Sequence, residues 1–405
     1  MSFLDSSLPR SRLTWAEIDL DAVVHNTREL GNLLGKNVEM MAVVKSGAYG
    51  HGAPEVSQAA LEGGAACLGV AFPEEGIELR KEGIHAPVLL LGYTPPSQME
   101  WLLEYELTPT IISQEEAYHL SEYVSASRSI FPVHVKVDTG MGRLGFLPSR
   151  AAEEVEKISR LPGLEVQGLM THLASADEED PGYTYQQLDC FNAILEECRK
   201  RGVHPRIIHA ANSAGMIRFP EAHFNLVRPG LSLYGYYPSP AVKAFTEVDL
   251  KPVLTFKSRV VMLKRVPSGT YLSYGGTYCT DREAEIATIP VGYADGFNRL
   301  LSNRGQVLIK GQRAPVVGRV CMDYIMADVT GLEGVETGAE VVLYGKQGAE
   351  AVTAWEVAEL QGTIPYEVLC AVSKRVPRWY YRNGEVVAYA DLLVKKGVNE
   401  ILWQY

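Results

Sequence analysis

Several basic groups of this chain stand where carbonyl or anion chemistry would need them. Lys45 ends the apolar run Met40–Lys45, and Ser46-Gly47-Ala48-Tyr49-Gly50-His51-Gly52 follows. An amine at such a strand end can be desolvated, lose its charge and form a Schiff base with a carbonyl cofactor. The same position also suits a lysine that snorkels to solvent, and Gly50 and Gly52 also suit an ordinary turn. In His134-Val-Lys136-Val-Asp138, alternation puts the three polar residues on one face. Arg143 follows a glycine-rich turn, where a planar guanidinium can clamp a carboxylate or a phenolic oxygen; a basic surface loop is the alternative. His172 ends the run Gly168–His172, shortly before Asp177. His209-Ala-Ala-Asn212-Ser213-Ala-Gly215 opens a short helical pattern, so Ser213 is either a helix N-cap or a phosphate ligand. Arg228-Pro-Gly230 ends another apolar run. Tyrosines follow in Tyr271-Leu-Ser-Tyr274, Tyr293-Ala-Asp295 and Ile364-Pro-Tyr366; there are 21 in all, and most tyrosines serve packing, so composition alone selects none.

These residues need elements to hold them. Eight apolar runs precede residue 235: Met40–Lys45, Ala66–Val70, Pro87–Leu91, Leu107–Ile111, Val133–Val137, Gly168–His172, Ile207–Ala210 and Asn225–Arg228. Helical patterns such as Pro54–Glu62, Glu74–Glu82, Glu115–Tyr123, Arg150–Arg160 and Tyr185–Arg201 lie between them. Strands alternating with helices predict parallel pairing, and eight units predict a closed (β/α)8 barrel of the TIM type, with a doubly wound sheet as the alternative. Barrel chemistry sits at the C-terminal strand ends, where Lys45, His172 and Arg228 fall, and phosphate sites recur near the last two strands. Beyond Pro238–Pro240 the pattern changes to Val253–Val266, Ala284–Pro290, Gln306–Lys310, Ala314–Val320, Ile325–Val329 and Glu340–Tyr344, with one helix at Ala354–Gln361. This predicts a barrel domain over 12–238 and a mainly antiparallel β domain over 239–405. The alternation in Trp15–Leu20 suggests that this early strand joins the second domain.

Composition narrows the function classes. Of 405 residues, 46% are hydrophobic and 21% charged, an ordinary balance for a chain with a large core. A net charge of -11 repels a phosphate backbone, so no nucleic-acid partner is expected. No apolar run is long enough to span a membrane, and Met1–Arg12 lacks an apolar signal core, so a cytoplasmic location is expected. The six cysteines show no metal-type spacing; they are read as free thiols, and no metal is expected.

Taken in order, the segments resemble fold-type III alanine racemases over nearly the whole chain. The matching motifs are Val-Val-Lys45 with Ala48-Tyr49-Gly50-His51-Gly52, Lys136-Val-Asp-Thr-Gly-Met-Gly-Arg143-Leu-Gly, Thr171-His172, Asn212-Ser213, Arg228-Pro-Gly230, Ser273-Tyr274-Gly, Gly292-Tyr-Ala-Asp-Gly296, Arg319-Val-Cys-Met-Asp323 and Tyr366-Glu-Val. The resemblance implies that Lys45 carries pyridoxal 5′-phosphate (PLP) and serves as one base, with Tyr274 as the second base on the opposite face. It implies that Tyr274 reaches the site from a partner subunit, in a head-to-tail homodimer. Tyr49, Ser213, Gly230 and Tyr366 would hold the phosphate, with Asn212 beside them. Arg143 would meet the cofactor's phenolic oxygen and the substrate carboxylate, and the Met322 N–H would be a second carboxylate donor. Lys136 would be carbamylated and would position Arg143. His172 would stand between Arg228 and Tyr274, and Asp177, Tyr293, Arg299 and Arg319 would line a polar substrate channel.

The implied reaction is racemisation of alanine, in this family a supply of D-alanine for peptidoglycan. Two bases on opposite faces of a planar intermediate invert the α-carbon without moving the substrate, and PLP is the electron sink. An arginine such as Arg228 beside the pyridine nitrogen gives up a proton too reluctantly to charge that ring, which limits side reactions. A neutral lysine and a tyrosinate-like Tyr274 both need pKa values moved toward neutrality. One departure stands out: Ser46-Gly47 replaces the Ala and Asn or Asp usual after the lysine, which predicts a less ordered loop. The alternatives are a racemase for serine or a broader range of amino acids, a PLP decarboxylase on the same fold, and a non-catalytic PLP-binding barrel. The last is opposed by the β domain carrying Tyr274, and the decarboxylase by Arg228 where an acidic residue would stand.

Overall fold

The computed structural model describes residues 12–125, 130–392 and 395–397; most of the polar N-terminal segment, residues 1–11, lies outside the described residues. Eight parallel strands form the barrel: Glu39–Val43, Cys67–Val70, Val88–Leu90, the broken strand Leu107–Thr108 and Thr110–Ile111, Phe131–Lys136, Leu164–Met170, Ile207–His209 and Leu226–Val227. Pairing runs from the first strand to the seventh, across the broken fourth, and Leu226 of the last lies opposite Glu39 of the first. Pro109 breaks the fourth strand because it has no N–H to give, yet its carbonyl accepts from the His134 N–H (3.0 Å) and keeps the ring continuous. Between the seventh and eighth strands Asn225 makes the join. Its N–H donates to the Ile208 carbonyl (3.3 Å) and its Oδ1 accepts from the Ile208 N–H (2.7 Å).

The strands are apolar because both of their faces are covered: Met41, Ala42, Val43, Leu68, Val70 and Leu90 are all buried. Helices Ala53–Gly63, Pro73–Lys81, Gln114–Ser125, Pro148–Ser159 and Gly182–Lys200 stand where the patterns put them. Proline begins two of them, where its missing N–H costs nothing. Leu20–Gly31 and Met99–Glu104 are further helices.

The second compact unit is built from Pro252 onward, with residues up to Asp21 and Tyr49–Gly52 added; the barrel unit comprises Ala22–Ala48 and Ala53–Lys251. Its largest sheet is mainly antiparallel, but Trp15–Asp19 lies antiparallel to Leu254–Arg259 and parallel to Arg378–Arg382. The run Val253–Val266, expected as one strand, is two: Leu254–Arg259 and Met262–Val266, in different sheets. The Val260 N–H bonds the Ala339 carbonyl and the Val261 N–H that of Thr288 (both 2.9 Å), so the backbone changes partners there. The run Ala314–Val320 shortens to Gln312–Pro315, and its remainder becomes a loop carrying Arg319.

Candidate active site

Lys45 stands two residues beyond the end of the first barrel strand at Val43 and is half-buried. Its backbone leaves the strand in a left-handed turn, with φ of 56° at Ser46, 59° at Gly47 and 52° at Ala48. Left-handed geometry costs about 1–2 kcal/mol for each residue with a side chain, so the turn must be held from outside. The Ala48 N–H donates to the Val44 carbonyl (2.8 Å) and the Tyr234 hydroxyl to that of Val43 (2.9 Å). Glu75 accepts the Ser46 N–H on one oxygen (2.6 Å) and the Ala71 N–H on the other (2.7 Å), joining the ends of the first two strands. The departure at Ser46-Gly47 therefore leaves an ordered turn, because glycine takes this backbone conformation without strain.

The fifth strand ends in Lys136, buried among cations. Burial first, then Arg143 and Arg228, against Asp138 and with Lys45 adding, pull its pKa down to about 8. Asp138 organises the loop beyond. Its carboxylate accepts from the N–H groups of Gly140, Gly142 and Arg143 (3.0, 3.0 and 2.9 Å). Burial alone would raise its pKa; these bonds outweigh that and hold it below the ordinary carboxylate value. Arg143 itself is exposed.

Arg228, at the end of the eighth strand, is buried. Its Nη2 donates to the carbonyls of Thr171 (2.9 Å) and Ala210 (3.0 Å) and to His172 Nδ1 (3.3 Å), and its Nη1 to His209 Nδ1 (2.9 Å). Burial pulls it down to about 9, so it remains a cation at neutral pH. An arginine has no lone pair to offer, so both histidines must accept at Nδ1. Their hydrogens then sit on Nε2, and that of His209 points at His134 Nδ1 (2.8 Å). Burial, then Arg228 and the neighbouring lysines, push the pKa of His172 well below its ordinary value. His172 is thus a neutral donor through Nε2.

Ser213 is not the N-cap. That role belongs to Asn212, whose Oδ1 accepts from the Gly215 N–H (2.9 Å). The Ser213 hydroxyl oxygen accepts from the N–H groups of Gly230 (2.8 Å) and Ser232 (3.3 Å), which leaves its own hydrogen to give to an anion. Asp177 lines a cavity of the barrel unit, of about 600 Å³, with Tyr183 and Ser239.

Within the second unit the rings of Tyr49 and Tyr366 lie 5.9 Å apart. Tyr274 is 70% exposed, and the preceding Ser273 donates from its hydroxyl to the Arg319 carbonyl (2.6 Å), tying the Tyr274 loop to the loop that ends in Met322. Tyr293 and Arg299 share a cavity of about 350 Å³ with Asn298. Met322 is exposed.

Sequence reasoning missed three polar groups. His209 ends the seventh strand, and a lone histidine there gives no sign of its partner His134, 75 residues away. Asp138 was placed on the right face, yet its task is to cap backbone. Glu75 carried no signal beyond a glutamate in the first turn of a helix.

Comparison with known proteins accords with this geometry. The family model for the alanine racemase N-terminal domain matches residues 18–238, and that for the C-terminal domain residues 253–380. An alanine racemase of Halothermothrix orenii is 49% identical over 370 residues, covering 91% of this chain and 97% of that protein. One of Carboxydothermus hydrogenoformans is 48% identical over 369 residues, covering 91% of this chain and 100% of its own. The crystal structure of alanine racemase from Bacillus anthracis with bound L-Ala-P superposes with a TM-score of 0.91 at 40% identity, over 95% of this chain and 99% of that one.

Proposed function

The chain belongs to the alanine racemase family, and on that premise we propose that it interconverts L-alanine and D-alanine with PLP on Lys45. The observation that carries this reading is the gathering of Lys45, Lys136, Arg143 and Arg228 around His172, with Asp138 as the opposing charge. A cationic mouth of this kind fits a ligand that brings a phosphate, a phenolic oxygen and a carboxylate. PLP, when bound, supplies the electron sink that acidifies the substrate's α-C–H bond.

The chain's own residues do the rest. The Lys45 amine would hold the cofactor and, once the substrate's amine has displaced it, would take or return the α-proton on one face; the Tyr274 oxygen would do so on the other. Ser213 gives its hydroxyl hydrogen to the phosphate, with Gly230, Tyr49 and Tyr366 completing that site and Asn212 fixing the helix behind it. Arg143 and the Met322 N–H hold the carboxylate, and Lys136, carbamylated, steers Arg143. Arg228, a fixed cation, would partner the ring nitrogen, and His172 would pass its influence to the Tyr274 hydroxyl. Asp177, Tyr293, Arg299 and Arg319 line the approach. Tyr274 comes from the partner subunit of a head-to-tail homodimer, and the enzyme works in the cytoplasm, where D-alanine enters peptidoglycan synthesis. Among the described residues no helix is long and apolar enough to cross a membrane.

The test is direct. The purified protein should show the visible absorbance of lysine-bound PLP, lose it irreversibly with borohydride, and form D-alanine from L-alanine. Faster turnover of serine or lysine than of alanine would replace the substrate assignment; a protein without PLP absorbance would overturn the reading.

A further inference from the structure

The peptide Cys321–Met322 is gripped from one side by the turn Gly292–Asp295. The Tyr293 N–H donates to the Cys321 carbonyl (3.0 Å) and the Ala294 N–H to the Met322 carbonyl (3.2 Å). The two backbones meet so closely that a Cβ on Gly292 would stand 2.2 Å from the Met322 oxygen. With the Cys321 carbonyl held by the Tyr293 N–H, the plane of the Cys321–Met322 peptide has little freedom, and the direction of the Met322 N–H follows from it.

A second fastening ties the same two segments. Asp295, wholly buried, closes its own turn by accepting the Gly292 N–H on Oδ2 (3.0 Å). Its Oδ1 accepts from Arg375 Nε (2.7 Å) and from Arg12 Nη1 (2.6 Å). The same Arg375 reaches on with Nη2 to Asp323 Oδ1 (2.6 Å), the side chain next to Met322. One guanidinium thus bridges a carboxylate on each segment whose backbones touch. Burying a carboxylate is a poor way to gain stability, since desolvation offsets much of the attraction, whereas a planar fork with fixed donor directions is a good way to fix distance and angle.

We propose that Arg375, bridging Asp295 and Asp323, is a positioning residue for substrate: it holds the Met322 peptide so that its N–H meets the carboxylate of alanine. This rests on the reading above that Met322 donates to that carboxylate. Arg375 touches no substrate itself. A lysine cannot hold two carboxylates in one plane, so it should restore the function only in part.

The experiment uses holoenzyme of the wild type and of Arg375→Gln, Arg375→Lys and Asp323→Asn. Asp323→Asn takes the charge from only the outer link, weakening it, and leaves Asp295 its partners, so it keeps the test open if Arg375→Gln fails to fold. KM and kcat for L-alanine are measured, with the dissociation constant of propionate, the substrate carboxylate without its amine, by calorimetry. Arg375→Gln should raise both KM and the propionate constant about tenfold with a smaller change in kcat, as expected for a misplaced binding group. Asp323→Asn should shift both in the same direction, and Arg375→Lys should fall between wild type and Arg375→Gln. Unchanged KM and propionate affinity in folded Asp323→Asn and Arg375→Lys would overturn the proposal, as would a lowered melting temperature with no change in either constant. Hydrogen–deuterium exchange separates the two layers. If propionate fails to protect the wild-type peptide containing Met322, the carboxylate reading itself falls. If it protects that peptide and the variants still bind propionate normally, only the Arg375 proposal falls.

Discussion

Arg228 Nη1 lies 2.9 Å from His209 Nδ1, deep in the barrel, and the charge of the one fixes the tautomer of the other. Replacing His209 with alanine strips this buried guanidinium of an acceptor and opens a cavity. The loss should be about 1–3 kcal/mol of stability or more, the usual cost of a buried unsatisfied donor, read from denaturant unfolding of the apoprotein. Unaltered stability would mean that the pair contributes nothing to holding Arg228. Replacing Arg228 itself with glutamate puts a proton-sharing group beside the cofactor ring. Racemisation should slow while pyridoxamine phosphate builds up on prolonged turnover with alanine, followed by chromatography of the released cofactor.

Tyr274→Phe removes the hydroxyl and keeps the ring. General acid–base groups contribute about 10²–10⁴-fold, so racemisation should fall by at least about 10²-fold in one direction. The visible absorbance of lysine-bound PLP should survive. A variant that racemises both isomers at wild-type rates would remove Tyr274 from the mechanism.

Lys136 gives a pH prediction. Carbon dioxide reacts with a neutral amine, and burial with Arg143 and Arg228 pulls this one down to about 8. Its neutral fraction therefore grows as pH rises through that value. With ¹³C-bicarbonate, a carbamate carbonyl signal should strengthen between about pH 7 and 9 and be missing in Lys136→Ala, as expected for an amine with that titration. A signal equally strong in the alanine variant would assign the modification elsewhere.

Gly47 sits at φ 59°, and a Cβ there would meet nothing within 4 Å. Asparagine tolerates left-handed backbone, so Gly47→Asn should change the melting temperature and racemisation little. Gly47→Val should cost about 1–2 kcal/mol from backbone strain alone. Thermal melts of the two side by side decide it; equal stability would contradict the left-handed turn.

The barrel was legible because strands covered on both faces must be apolar throughout, and apolar runs such as Cys67–Val70 need no partner to be seen. The second unit was harder to read. Arg378–Arg382 begins and ends in charged residues, and Trp15–Asp19 pairs with it across most of the chain. Val253–Val266 looked continuous because a change of hydrogen-bonding partner at Val260–Val261 leaves no mark on hydropathy. The site followed the same rule. Motifs compact in sequence, around Lys45 and Arg143, announced their residues. Contacts assembled by the fold, such as His134 with His209 and Arg375 with Asp295, depend on which strands become neighbours, and no local pattern encodes that.

The join between the seventh and eighth strands rests on the bonds of Asn225 with Ile208 and of the Arg228 N–H with the Ala211 carbonyl (3.0 Å) rather than on a continuous ladder, so it is a seam in the hoop of the barrel. Ser213 and Gly230 stand on opposite sides of that join, already linked. A phosphate seated on both would act as a rivet across that seam. The Ile208 amide should therefore exchange faster in apoprotein than in holoenzyme, and the cofactor would be a fastening of the fold as well as its reagent.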